Sequence, residues 1–143
     1  MGRSQKIRVM TRKILTLVFL ASVSLCIEAK TLRNLTADCS GSIGFVADSI
    51  EYRPDVTRLY GKIKGRPHTA NRIDTLYGTF GKIRYLSTDI DGVDMKRYFQ
   101  WEDSGLIPVE IDFPVVRTQT SFVLNLDGPR GESTWNIRSS NGK

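Results

Sequence analysis

Cysteine and histidine are scarce in this chain. It has two cysteines, Cys26 and Cys39, and a single histidine, His68, among 143 residues. No Cys-x-x-Cys pair exists, so thiol–disulfide exchange by that motif is excluded. If the first 29 residues are removed, only Cys39 remains, and no internal disulfide can form. One histidine leaves few routes to a hydrolytic triad, which needs a nucleophile and a base held by a third group. Ser42 in Gly41-Ser-Ile-Gly44 lacks the spacing of a nucleophile elbow. An apolar run long enough to cross a bilayer is also missing. Ile14 to Ile27 is interrupted by Thr16, Ser22 and Ser24, and falls short of the roughly 20 residues a span needs. Beyond Ala29 no stretch shows convincing helical periodicity.

The start of the chain has the layout of a secretory signal peptide over residues 1–29. Arg3, Lys6, Arg8, Arg12 and Lys13 precede the apolar run. Cleavage is expected after Ala29, with Cys26 as the alternative. Two membrane-tethered readings stay open: an uncleaved N-terminal segment, and a lipidated Cys26. Leu25 is larger than the residue that normally precedes a lipidated cysteine. The whole chain carries 21 Lys and Arg against 15 Asp and Glu. The leader holds five of the basic residues and one acid, Glu28, which leaves a net charge of +2. The basic character therefore belongs largely to the leader, and it does not argue for a nucleic-acid partner.

The remainder reads as strands. In Leu106-Ile-Pro-Val-Glu-Ile-Asp-Phe-Pro114, Ile107, Val109, Ile111 and Phe113 alternate with Pro108, Glu110 and Asp112, the signature of a sheet with one buried face. Similar runs are expected over 42–52, 56–64, 72–79, 82–88, 120–127 and 133–138. In the third of these, Ile73, Thr75 and Tyr77 share one face, opposite Asp74 and Leu76. In the fourth, Ile83 and Tyr85 share a face. A further alternating run, Met95 to Trp101, turns at Glu102-Asp-Ser-Gly105 and predicts a hairpin over 94–113. Short strands separated by turns give an all-β class: a single immunoglobulin-like antiparallel β-sandwich of about seven or eight strands, with a closed barrel as the alternative. The expected boundaries are a flexible N-terminal segment at 30–41, the sandwich at 42–138 and a polar tail at 139–143. Asn34-Leu-Thr36 matches the N-glycosylation triplet.

A cadence runs through the second half. Gly81-Lys-Ile-Arg-Tyr85 and Asp91-Gly-Val93 precede an aromatic strand and the Glu102-Asp-Ser-Gly105 turn. Val109-Glu-Ile-Asp-Phe-Pro114 and Trp135-Asn-Ile-Arg138 follow. This resembles the small immunoglobulin-like β-sandwich domains of exported Bacteroidetes proteins. It is similar in particular to those preceding thioredoxin-like domains in envelope thiol–disulfide proteins. The resemblance implies the fold, a periplasmic or secreted location and an accessory or binding role. Without Cys-x-x-Cys, no redox activity carries over.

Several residues are candidates for sites. Asp89, Asp91 and Asp94 surround Gly92 and offer hard oxygen ligands for Ca²⁺. Their spacing departs from an EF-hand, and a turn in which the carboxylates bond nearby amides is the plainer reading. His68 could serve as a base, or sit idle in a loop. Arg66 and Arg72, with Lys62 and Lys64, suit an acidic partner or a phosphate, or simply protect a sheet edge. Tyr98 is the exposed aromatic of its run and could stack on a sugar. Phe99, Trp101 and Trp135 read as core. The expectation is an exported, non-catalytic binding module whose partner is another envelope or secreted protein, reached for example by strand addition at a sheet edge. A carbohydrate-binding module is the alternative, and a small hydrolase around His68 a weaker third. No obligatory cofactor is expected, and no transmembrane span once the signal is cleaved.

Overall fold

The computed structural model describes residues 29–140. The expected signal peptide, with Cys26, falls outside them except for Ala29, as does the end of the expected tail. Among the described residues there are twelve strands and no helix. They are β1 (Lys30–Leu32), β2 (Leu35–Ser40), β3 (Gly44–Tyr52), β4 (Thr57–Lys64), β5 (Ala70–Asn71) and β6 (Thr75–Phe80) in the first half. The second half holds β7 (Ile83–Leu86), β8 (Asp89–Asp91), β9 (Phe99–Gln100), β10 (Leu106–Phe113), β11 (Ser121–Gly128) and β12 (Gly131–Ser139).

Ten of these strands form two five-stranded antiparallel sheets that pack as a sandwich. One sheet runs β1-β3-β4-β10-β8, the other β2-β12-β11-β6-β7, and β5 and β9 make a small separate ribbon. In the first sheet β4 lies between β3 and β10 and pairs antiparallel with both. That placement sets the geometry of the surface described below.

The alternation of β10 produces the interior as expected. Val109, Ile111 and Phe113 are buried. At about 1.5–3 kcal/mol for each buried side chain, these three outweigh any surface ion pair on the same strand, worth about 0–1 kcal/mol. Leu59 and Ile63 of β4 meet them from the neighbouring strand, and Phe122, Leu124, Leu126, Trp135 and Ile137 come from the other sheet. Phe45 stacks on Trp135 at 4.4 Å between centroids, and the Trp135 indole donates to the Ile43 carbonyl at 2.8 Å. Among the described residues no buried side-chain nitrogen or oxygen lacks a hydrogen-bond partner.

Several expectations are corrected. Residues 30–41 are not a loose lead-in. β1 pairs with β3 and β2 pairs with β12, so the chain contributes an edge to each sheet before its first long strand. Polar side chains at Thr36 and Asp38 had disguised β2, which needs few apolar residues because it is an edge. Residues 94–113 do not form a hairpin. β9 pairs with β5, while β10 lies between β4 and β8. In β6, Leu76 and Phe80 point into the core, and Tyr77 packs outside under Arg84. Ile73 is buried, but it lies before the strand begins. Ile83, at the edge strand β7, is 58 % exposed. β12 extends to a buried Ser139, so the sandwich reaches beyond 138.

Candidate functional site

Two arginines in the expected basic connection end up with different partners. Arg72 forms a two-point ion pair with Asp74, at 2.7 and 3.1 Å. Its hydrogen bonds hold the Asp74 carboxyl below the usual carboxylate range and push the arginine up. The guanidinium carbon also lies 4.9 Å from the centroid of Tyr98, which is 62 % exposed. Arg72 and Tyr98 are therefore brought together, with Asp74 fixing the guanidinium over one face of the ring.

Arg66 and His68 belong to a separate exposed turn. The Arg66 carbonyl accepts from the Thr69 amide at 3.3 Å and hydroxyl at 2.8 Å. His68 Nε2 lies 3.1 Å from Asp103 Oδ1, with both side chains open to solvent. Among the described residues no serine, threonine or cysteine side chain hydrogen-bonds to His68.

The aspartates proposed for calcium do not form a cage. Asp89 and Asp91 flank the buried Ile90 on edge strand β8, and Asp94 lies beyond Gly92. Among the described residues no three His, Cys, Asp or Glu side chains gather as a metal site. The expected turn is a strand because Ile90 faces the core opposite Ile111, leaving its neighbours to point outward.

Sequence reasoning did not find one concavity of the sandwich. It lies on the outer face of the β1-β3-β4-β10-β8 sheet and has a volume of about 630 Å³. Val46 and Asp48 of β3, Tyr60 and Lys62 of β4, and Pro108 and Glu110 of β10 line it, and Asp91 closes the β8 side. Three local causes shape it. The β3–β4 register shifts between Ala47 and Ser49, so Asp48 sits in a bulge, which bends a strand and sharpens its twist. Pro108 pairs with β4 but lies beyond the end of β8, where a missing N–H costs no ladder bond. Gly92, at φ 114°, lets the chain leave β8 so close to the Pro108 carbonyl that a Cβ would collide with it.

The register then sets out the chemistry. Tyr60 lies opposite Glu110, and Glu110 lies opposite Asp91, with Asp48 in the bulge on the far side of Tyr60. Two strand spacings separate Tyr60 from Asp91, roughly 10 Å. In the next row Arg58 makes a two-point ion pair with Asp112, at 2.7 and 3.0 Å. The Tyr60 hydroxyl donates to Glu51 at 2.6 Å, and that bond, with burial, pushes the phenol up. Among the described residues, Asp48, Asp91 and Glu110 make no ion pair or side-chain hydrogen bond, and neither does Lys62. The sequence carried a partial signal, since β4 and β10 each alternate apolar residues with polar ones. That these two strands are neighbours could not be read from periodicity.

Among the described residues, no helix is long and apolar enough to cross a membrane. Searches against family models, curated proteins and solved structures return no match to this chain.

Proposed function

We propose that this protein is an exported, non-catalytic interaction module that contacts another envelope or secreted protein through the outer face of its β1-β3-β4-β10-β8 sheet. The observation that carries this reading is the groove at that face. It has apolar parts at Val46, Pro108 and Val109 and presents polar groups from four strands. A rigid sheet displaying convergent side chains suits recognition. The leader-like start and the resemblance to exported sandwich domains support the compartment. The test is an affinity pull-down from envelope and secreted fractions, comparing the protein with Val46→Arg. Val46 is 49 % exposed, so the new side chain can fill the groove without entering the core. A stoichiometric partner recovered by the parent and lost with Val46→Arg is the expected result. No partner in either fraction, or equal recovery by the variant, overturns it.

A second reading, carbohydrate binding, is favoured by Tyr98. With Arg72 over one face of its ring, the other can receive the apolar face of a sugar. Tyr98→Ala should then abolish retention on a polysaccharide column without unfolding the domain. Retention unchanged by the substitution, or absent for the parent protein, removes this reading.

A further inference from the structure

The cations on the outer face of the β1-β3-β4-β10-β8 sheet are fewer than its acids, and one of them is already used. Six carboxylates point outward there: Asp48, Glu51, Asp89, Asp91, Glu110 and Asp112. They are six of the 15 acids in a chain whose net charge is positive. The basic side chains on the same face all come from β4. Arg58 is committed to Asp112, leaving Lys62 and, at the strand end, Lys64. Glu110 and Asp91 are direct cross-strand partners with no cation joined to either. Like charges placed opposite one another disfavour a sheet. A positive group seated between them would relieve that repulsion, and Tyr60, opposite Glu110, brings an aromatic side chain to the same row.

We propose that the groove docks a basic polypeptide segment, with a lysine or arginine side chain held by Glu110 and Asp91 beside Tyr60. This rests on the reading of this face as the contact surface and names its partner by chemistry. The segment lies over Val46 and Pro108, where apolar surface is available, and its cationic side chain reaches the acidic row. Lys62 works against the contact, which favours a segment whose positive charge is concentrated at the β8 side of the groove.

Fluorescence anisotropy with a labelled Lys- and Arg-containing decapeptide tests the proposal. The parent protein should bind saturably, and binding should weaken as NaCl rises from about 50 to about 500 mM. The paired substitution Asp91→Asn with Glu110→Gln keeps shape and removes charge, and should weaken binding by about tenfold or more. Lys62→Glu should tighten it. Glu132→Gln, at the distant β11–β12 turn, makes a single charge change away from the groove and should leave binding unchanged. Equal binding by the parent and the paired variant overturns the proposal, as does an equal loss with Glu132→Gln or no saturable binding at low salt. The pull-down separates this failure from failure of the interaction reading. A partner lost with Val46→Arg but kept by the paired variant preserves the contact surface and rejects the cationic occupant. Binding of a neutral glycan, a second copy of the chain or Ca²⁺ in place of the peptide likewise rejects it.

Discussion

The indole N–H of Trp101 donates to Oδ1 of Asn71 across 2.7 Å, and both side chains are buried. Asn71 in turn donates to the Ser42 hydroxyl at 3.2 Å. This chain of bonds ties the β5–β9 ribbon to the start of β3, and Trp101 fits there because Gly65 has no side chain. A Cβ at Gly65 would enter the indole ring.

Trp101→Phe should therefore be costly. It leaves the Asn71 oxygen buried without its donor and opens space beside Gly65. A loss of about 2–4 kcal/mol is expected, read as a lower urea midpoint with an unchanged slope. Gly65→Ala should destabilise as well, whereas Gly44→Ala, whose Cβ would meet only ordinary contacts, should have much less effect. Equal midpoints for the two alanine variants would remove the packing explanation.

Stability should fall on the alkaline side. The Tyr52 hydroxyl donates to the Gln119 carbonyl at 2.8 Å, and burial pushes the phenol up to about 12. In the unfolded chain a tyrosine ionises near 10. Between these values the unfolded chain releases the proton that the folded one keeps, so unfolding becomes easier as pH rises. The contribution is fully present below about pH 10 and is lost on approach to about pH 12. Tyr52→Phe should lower stability at pH 7 by about 1 kcal/mol through the lost hydrogen bond, yet flatten the decline in melting temperature between about pH 9 and 11. Tyr60 and Cys39, whose groups are also pushed up, leave a residual slope. An unchanged alkaline slope in Tyr52→Phe would count against the burial argument.

Burial likewise pushes the Cys39 thiol up, although the residue lies at the exposed edge strand β2. Its thiol donates weakly to the Phe45 carbonyl at 3.6 Å. Less thiolate means slower attack on a disulfide reagent. At pH 8 the folded protein should react with an aromatic disulfide several-fold more slowly than the same protein in denaturant. Equal rates would show that burial does not restrain the thiol.

The sandwich was legible because strand alternation is a local property. The inward rows of β4, β10, β11 and β12 follow directly from Leu59, Ile111, Leu124 and Trp135. Edge strands were harder to read. β2 is mostly polar, and β7 exposes Ile83 and Leu86, so a strand buried on only part of one face leaves a weak periodic signal. The Met95–Trp101 run misled for a different reason. Alternating aromatics suit a strand, but only Phe99 and Gln100 pair, because Lys96 takes φ 62° and bends the chain away. At the candidate sites, single residues were visible while neighbourhoods were not. Tyr98 read as exposed and Arg72 as basic, but their meeting depends on tertiary structure. Asp91 stood out for its company in sequence, whereas its partner across the sheet, Glu110, lies 19 residues on.

That last pair supports a prediction about stability alone. Glu110 is flanked by Tyr60 on one side and Asp91 on the other, with no cation bonded to it. Replacing it by glutamine keeps the side-chain shape and removes one of two facing charges. Cross-strand repulsion of this kind is worth about 0.2–1 kcal/mol, so Glu110→Gln should raise the melting temperature by about 1–4 °C. The gain should shrink at high salt, because exposed charges are screened over about 3 Å at 1 M ionic strength. Asp112→Asn, one row away, should act in the opposite direction, since it breaks the two-point ion pair with Arg58. Opposite signs for two acids on the same strand would locate the repulsion between Glu110 and Asp91. The same sign for both would mean that the acidic face acts as a diffuse charge, and that the register of β10 against β8 has no special role.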